Sequence, residues 1–221
     1  MNVLLVDNRD SFTFNLAEAF RLAGGQPCVV RNSIDARSAL DRALEMRGII
    51  LLSPGPGRPA DAGCCLELVR LARKRVPVIG ICLGHQAIAE EAGGRVMRAS
   101  EPCHGKSSAL DHEGTGPFAG LPARLRVGRY HSLCTPAAGL PKRFIVDASL
   151  DGMAMAIRDD VEAQLGLQFH PESILTPQGD RLIGAMLDWA RRCLAGARRR
   201  HRMADAQKKA AAPFDAAASL G

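Results

Sequence analysis

Apolar residues come in short blocks through the first half of the chain. Val3-Leu4-Leu5-Val6 opens it, and Cys28-Val29-Val30, Ile49-Ile50-Leu51-Leu52 and Val76 to Ile81 repeat the pattern. Runs this short, bounded by turn residues, predict strands buried on both faces. Helical spacing fills the gaps. Ser11 or a neighbour can cap a helix running to about Ala23, where Gly24-Gly25 stop it. Ala36, Leu40, Ala43 and Leu44 share one helical face, and a third helix is predicted from about Ala62 to Arg73. Alternating strand and helix predict a mostly parallel sheet with helices on both faces, whose ligands bind at the carboxyl ends of the strands.

The second half reads differently. Leu125 to Tyr130, Phe144 to Ala148, Met153 to Ile157 and Leu165 to Phe169 are strand-like pieces separated by Gly, Pro and Asp turns. They predict a mixed or antiparallel extension of the sheet. A last amphipathic helix is expected from about Gln178 to Leu194, with Leu182, Ile183, Met186 and Trp189 on its apolar face. No internal repeat or linker divides the chain. Residues 1–194 read as one domain, and 195–221 as a basic, Ala-rich, mobile tail.

Charge sharpens that division. Residues 1–190 carry 21 Lys/Arg and 21 Asp/Glu, whereas residues 191–221 carry 8 and 2 and so supply the whole net charge of +6. The basicity belongs to the tail, which argues against a nucleic-acid-binding body. A solvated tail is the plain reading; contact with a partner, an acidic surface or nucleic acid is the alternative. No apolar run reaches the roughly 20 residues of a membrane span, and the start of the chain lacks the features of a signal peptide, so the cytoplasm is the expected compartment. The seven cysteines form no CxxC pair, and neither a disulfide framework nor a zinc site is expected.

One cysteine stands apart. In Gly80-Ile81-Cys82-Leu83-Gly84-His85-Gln86 it lies between two glycines where a strand gives way to a helix. This is the cysteine form of a nucleophile elbow: a sharp turn lifts the side chain clear of the sheet, and the helix dipole favours a thiolate. The alternative, an inert core thiol, leaves both glycines without a purpose. Gln168-Phe169-His170-Pro171-Glu172-Ser173 also follows a strand. There His170 could serve as the base and Glu172 could orient it, although His-x-Glu taken alone also describes a surface pair. Leu52-Ser53-Pro54-Gly55-Pro56-Gly57 is a rigid turn. Its bare N–H groups could receive an oxyanion, or it could be a plain stiff loop.

Together with Val6-Asp7-Asn8-Arg9-Asp10-Ser11-Phe12-Thr13, His104-Gly105-Lys106 and Arg129-Tyr130-His131-Ser132-Leu133, these stretches resemble, in order, those of the class I (triad-type) glutamine amidotransferases. The likeness covers roughly residues 2–192 and is nearest to the anthranilate synthase component II branch. The glutaminase of aminodeoxychorismate synthase is the alternative, as is a chain serving both. The resemblance implies a flavodoxin-like α/β fold. It implies that Cys82 attacks glutamine, that His170 carries the proton and that Glu172 orients His170. By the same likeness Gly57 and Leu83 would form the oxyanion hole, and Gly55, Pro56, Gly57, Gln86, Ser132 and Leu133 would hold L-glutamine.

It further implies ammonia transfer to a large chorismate-using synthase subunit, which would also hold any Mg²⁺. No cofactor is expected in this chain, and no P-loop appears in it. His104-Gly105-Lys106 and Tyr130-His131-Ser132 are either edges of the docking surface or ordinary exposed loops. The basic tail departs from the family pattern, which stops near Cys193. The competing readings are a stand-alone cysteine hydrolase and a non-catalytic regulatory subunit. The glutamine-holding stretches weigh against the first, and the complete Cys-His-Glu set against the second.

Overall fold

The structure, a computed structural model, describes the backbone of residues 1–210 and the side chains of residues 1–196. The first half runs β1 (Asn2–Asp7), α1 (Thr13–Leu22), β2 (Gln26–Arg31), α2 (Ala36–Glu45), β3 (Ile49–Leu52), α3 (Cys65–Ala72), β4 (Val78–Ile81) and α4 (Leu83–Glu91). The second half runs β5 (Met97–Arg98), β6 (Lys106–Asp111), β7 (Arg124–Arg129), β8 (Leu133–Cys134), β9 (Ile145–Leu150), β10 (Met153–Asp159), β11 (Gln164–Leu167) and α5 (Gly179–Ala210). The main sheet has the order β2-β1-β3-β4-β11-β10-β9. Strands β2 to β11 in that order are parallel, and β10 is antiparallel to both β11 and β9. This is the predicted α/β architecture with its antiparallel extension.

Period-two alternation along each strand divides the core between the two faces. Val3, Leu5, Ile49, Leu51, Ile79 and Ile81 face Leu16 and Phe20 of α1 and Leu182, Ile183 and Met186 of α5. Leu4, Val6, Ile50, Leu52 and Val78 face Leu40 of α2, Leu68 of α3 and Ile88 of α4. Each fully buried Leu or Ile contributes about 1.5–3 kcal/mol. The apolar runs therefore hold the sheet between two helical layers, and the loops at its carboxyl edge remain free to carry chemistry.

Four expectations change in detail. Ser11 does not cap α1; Phe12 is its N-cap residue, and the turn before it is tied by the Asp7 and Asp10 carboxylates, Asp10 Oδ1 accepting from Phe12 N at 2.8 Å. A 3₁₀ turn at Pro59–Asp61 delays α3 to Cys65. Strand β7 does not extend the main sheet but pairs with β6 in a separate ribbon, and β5 pairs with β8. The last helix runs on to Ala210, since 195–210 contains no proline and mostly good helix formers. The Ala-rich end, 211–221, lies outside the described residues. No helix among the described residues is long and apolar enough to cross a membrane.

Candidate active site

β4 passes to α4 through one residue, Cys82, held at φ 51° and ψ −99°. A non-glycine residue there costs about 1–3 kcal/mol and persists only where its surroundings enforce it. The enforcing contacts are the Cys82 N–H donating to Leu167 O at 2.8 Å and the Gln86 N–H donating to Cys82 O at 3.0 Å. Both flanking glycines are required. A Cβ on Gly80 would lie 2.3 Å from the Gly84 carbonyl, and one on Gly84 2.6 Å from Leu52 O. Because α4 begins at Leu83, the positive end of its dipole lies at the thiol.

His170 follows β11, the strand next to β4, and Glu172 lies just beyond. Its backbone is fixed by an N–H bond to Gly128 O at 3.0 Å and by Thr176 Oγ1, which donates to His170 O at 2.7 Å. Nδ1 meets Glu172 Oε1 at 2.8 Å, with both side chains buried. Burial works against the charged ring, but interaction with Cys82 and then with Glu172 outweighs it, and the imidazole is raised to about 10. His170 Nε2 and Glu172 Oε2 are buried without a hydrogen-bond partner. Cys82 thus acts on His170 through proximity rather than a formed hydrogen bond, as in catalytic pairs that tighten only around substrate.

The Ser53–Gly57 turn reaches the same edge from β3. A Cβ on Gly55 would sit 2.5 Å from Asn8 Cβ and 2.8 Å from Leu83 Cδ2, so the turn lies against the start of α4. Asn8 anchors it: its N–H donates to Ser53 Oγ at 2.8 Å and its side-chain amide to Ser53 O at 2.9 Å. Pro56 and Gly57 are exposed, and Gly57 has φ 81°. Gln86 is joined to Leu133, its Nε2 donating to Leu133 O at 3.1 Å, while Ser132 is exposed and accepts Ala99 N–H through its carbonyl. The structure therefore gathers the elbow, the His170-Glu172 pair, the Gly55 turn and the Gln86-Leu133 link along one sheet edge.

Several residues have roles that their stretches did not reveal. Asn8 ties β1 to the turn. Gln168 places its Nε2 3.6 Å from Cys82 Sγ. Phe12 and Tyr130 pack on the His170 ring with centroids 5.7 and 5.0 Å away, and His104 packs on Tyr130 at 5.8 Å. The two stretches marked as docking edges thus meet beside His170. Among the described residues, no group of three or more His, Cys, Asp or Glu side chains is placed to hold a metal ion.

Residues 4–188 match the family described as glutamine amidotransferase class-I. The chain belongs to that family. This class-I glutamine amidotransferase is 50% identical over 191 residues to the anthranilate synthase component 2, pyocyanine specific, of Pseudomonas aeruginosa, spanning 86% of this chain and 94% of that protein. It is 44% identical over 190 residues to anthranilate synthase component 2 of Buchnera aphidicola, spanning 86% of this chain and 96% of that one. Its fold is similar to that of a putative GMP synthase subunit from Thermoplasma acidophilum, with TM-score 0.76 and 23% identity over 91% of this chain and 98% of the other. The amidotransferase fold is thus shared where sequence has largely diverged, whereas the likeness to the anthranilate synthase components spans nearly their whole length.

Proposed function

We propose that this amidotransferase is the glutamine-hydrolysing subunit of an anthranilate synthase, working from the cytoplasm in tryptophan formation. His170 takes the Cys82 thiol proton, and Cys82 Sγ attacks the carboxamide carbon of L-glutamine. The oxygen that becomes negative is received by the N–H groups of Gly57 and Leu83. His170 passes its proton to the nitrogen as the C–N bond breaks, and ammonia leaves a γ-glutamyl thioester on Cys82. Water attacks the thioester carbon, His170 takes its proton and returns it to sulfur, and glutamate departs. Glu172 holds the ring in the productive orientation throughout. Gly55, Pro56, Gln86, Ser132 and Leu133 hold the glutamine.

Free ammonia in neutral water is largely protonated and loses its nucleophilicity, so it has to be delivered under cover. The exposed rim at His104 and Ser132, with Tyr130 between them, supports a covering partner, assigned as the large chorismate-using synthase subunit. Any Mg²⁺ is assigned to that subunit. The single observation that carries the reading is the buried His170-Glu172 pair in electrostatic reach of a cysteine held at positive φ, in a chain 41–50% identical to five anthranilate synthase components.

Co-purification from the native cell identifies the synthase. In that complex Cys82→Ser should abolish glutamine-dependent anthranilate formation and leave ammonia-dependent formation intact. Glutamine-dependent turnover by the serine variant would refute the nucleophile assignment. An aminodeoxychorismate synthase as the only bound partner would move the chain to the 4-aminobenzoate branch.

A further inference from the structure

The Cys82 sulfur is met by a side-chain donor whose direction is set elsewhere in the molecule. A backbone carbonyl can only accept hydrogen bonds, and Leu133 O accepts two, from Gln86 Nε2 at 3.1 Å and His131 Nδ1 at 2.8 Å. The first bond orients the Gln86 amide. The same nitrogen also lies 3.0 Å from the Gln168 side chain, so the atom it meets is Oε1. Gln168 therefore turns its Nε2 toward Cys82 Sγ, 3.6 Å away.

The second bond orients the imidazole. Burial, and then the Arg129 guanidinium, push His131 down to about 4, so the ring is neutral with its hydrogen on Nδ1. Nε2 is left as an acceptor, and Arg129 Nε lies 3.2 Å from it. Arg129 in turn reaches Ser108 Oγ on β6 at 3.2 Å. Gln86, Gln168 and His131 are buried, so none can reverse its donors and acceptors without leaving a polar atom unpaired, and Arg129, also buried, carries donors alone.

We propose that Gln168 is a further catalytic residue that donates to the Cys82 sulfur, and that His131 is a positioning residue, backed by Arg129 and acting through the Leu133 carbonyl and Gln86. The proposal rests on the reading of Cys82 as the nucleophile. A donor at the sulfur is strongest when the sulfur is an anion and fixes the direction of its lone pairs for attack on the amide carbon. Because Leu133 belongs to a two-residue strand, its carbonyl has little ladder support, and the His131 bond supplies it. The β6–β7 ribbon at the rim of the cleft is thereby joined to the thiol.

The test uses the chain in complex with its synthase partner, with kcat and KM for glutamine, alkylation of Cys82 by iodoacetamide, and ammonia-dependent synthesis as readouts. Gln168→Glu keeps the side chain's shape and, ionised, has no donor. It should lower kcat by roughly tenfold or more and slow alkylation, with KM changed by less than about threefold. His131→Leu should lower kcat about tenfold, and His131→Asn, which keeps a donor near the Nδ1 position, should recover most of that loss. Co-elution of the chain with its partner reports an intact complex, and unchanged ammonia-dependent synthesis reports an intact synthase. If His131→Leu fails to assemble, Gln168→Glu and His131→Asn carry the test. Wild-type kcat and alkylation in Gln168→Glu, or His131→Asn below about a tenth of wild-type kcat in an intact complex, overturns the proposal. Glutamine turnover surviving in Cys82→Ser instead overturns the reading beneath it.

Discussion

Three buried histidines face different electrostatic surroundings, and the contrast makes a pH prediction. His170 is raised to about 10, whereas burial lowers both His85 and His131 to about 4. Unfolded histidine titrates near about 6.5. Between roughly 6.5 and 10 the folded chain holds the His170 proton more tightly than the unfolded chain, so stability falls as pH rises. Between roughly 4 and 6.5 the unfolded chain binds the protons that His85 and His131 refuse, so stability rises with pH. The thermal midpoint should therefore peak near about pH 6.5. Glu172→Gln should flatten the alkaline limb alone, which differential scanning calorimetry across pH can check; an alkaline limb as steep in that variant would rule out the Glu172 contribution. Cys82, His170 and Glu172 were legible because two glycines and a His-Pro-Glu run mark them. Gln168 was not: an amide donating to sulfur leaves no trace in residue order, and it emerges only when β11 lies beside β4.

Among the elements, the β4–α4 junction shows how position sets the sign of one substitution. Gly84→Ala drives a methyl to 2.6 Å from a backbone oxygen of β3, which cannot move without opening the sheet. It should cost about 1–3 kcal/mol and lower the melting temperature by a few degrees, with loss of glutamine-dependent turnover. Gly184→Ala places its methyl in open space within α5 and should instead stabilise by about 0.5–1 kcal/mol. Thermal melts of the two variants should move in opposite directions; a shared direction would mean that helix propensity or local space has been misjudged. Strands β1, β3 and β4 were legible as unbroken apolar runs. The β6–β7 ribbon was not, because Lys106-Ser107-Ser108-Ala109 offers little apolar alternation and the pairing partner of β7 was therefore hidden. The end of α5 was misplaced because charge changes near Leu194 while helix propensity does not.

Taken as a whole, the molecule carries its net charge outside its core. The buried cluster that includes α5 reaches Ala190, with Cys193 and Leu194 packed at its margin. Ending the chain after Gly196 should therefore leave the melting temperature and glutamine-dependent activity of the complex within error of the full chain, while removing most of its retention on a cation exchanger. A loss of partner binding in that shortened chain, measured by co-elution, would assign the basic segment a docking role. The asymmetry of charge could be counted in the sequence, but α5 continues through the boundary drawn at Leu194. The meeting of residues 104–106 and 130–132 beside His170 was not legible, since it depends on the β6–β7 pairing and on the Cys103 N–H bond to His131 O at 3.0 Å.

Strand β11 slots between β4 and β10, although it is made 86 residues after β4, counting from Ile81 to Leu167. On the ribosome, at about 5–20 residues per second, the open flank of β4 has to wait roughly 4–17 s for its neighbour. During that interval an apolar strand with unpaired amides is exposed to other nascent chains, and Cys82 beside it has not yet met His170. Fragments released early from translation are accordingly both inert and adhesive, which makes this stretch of synthesis the one where a chaperone's attention counts most.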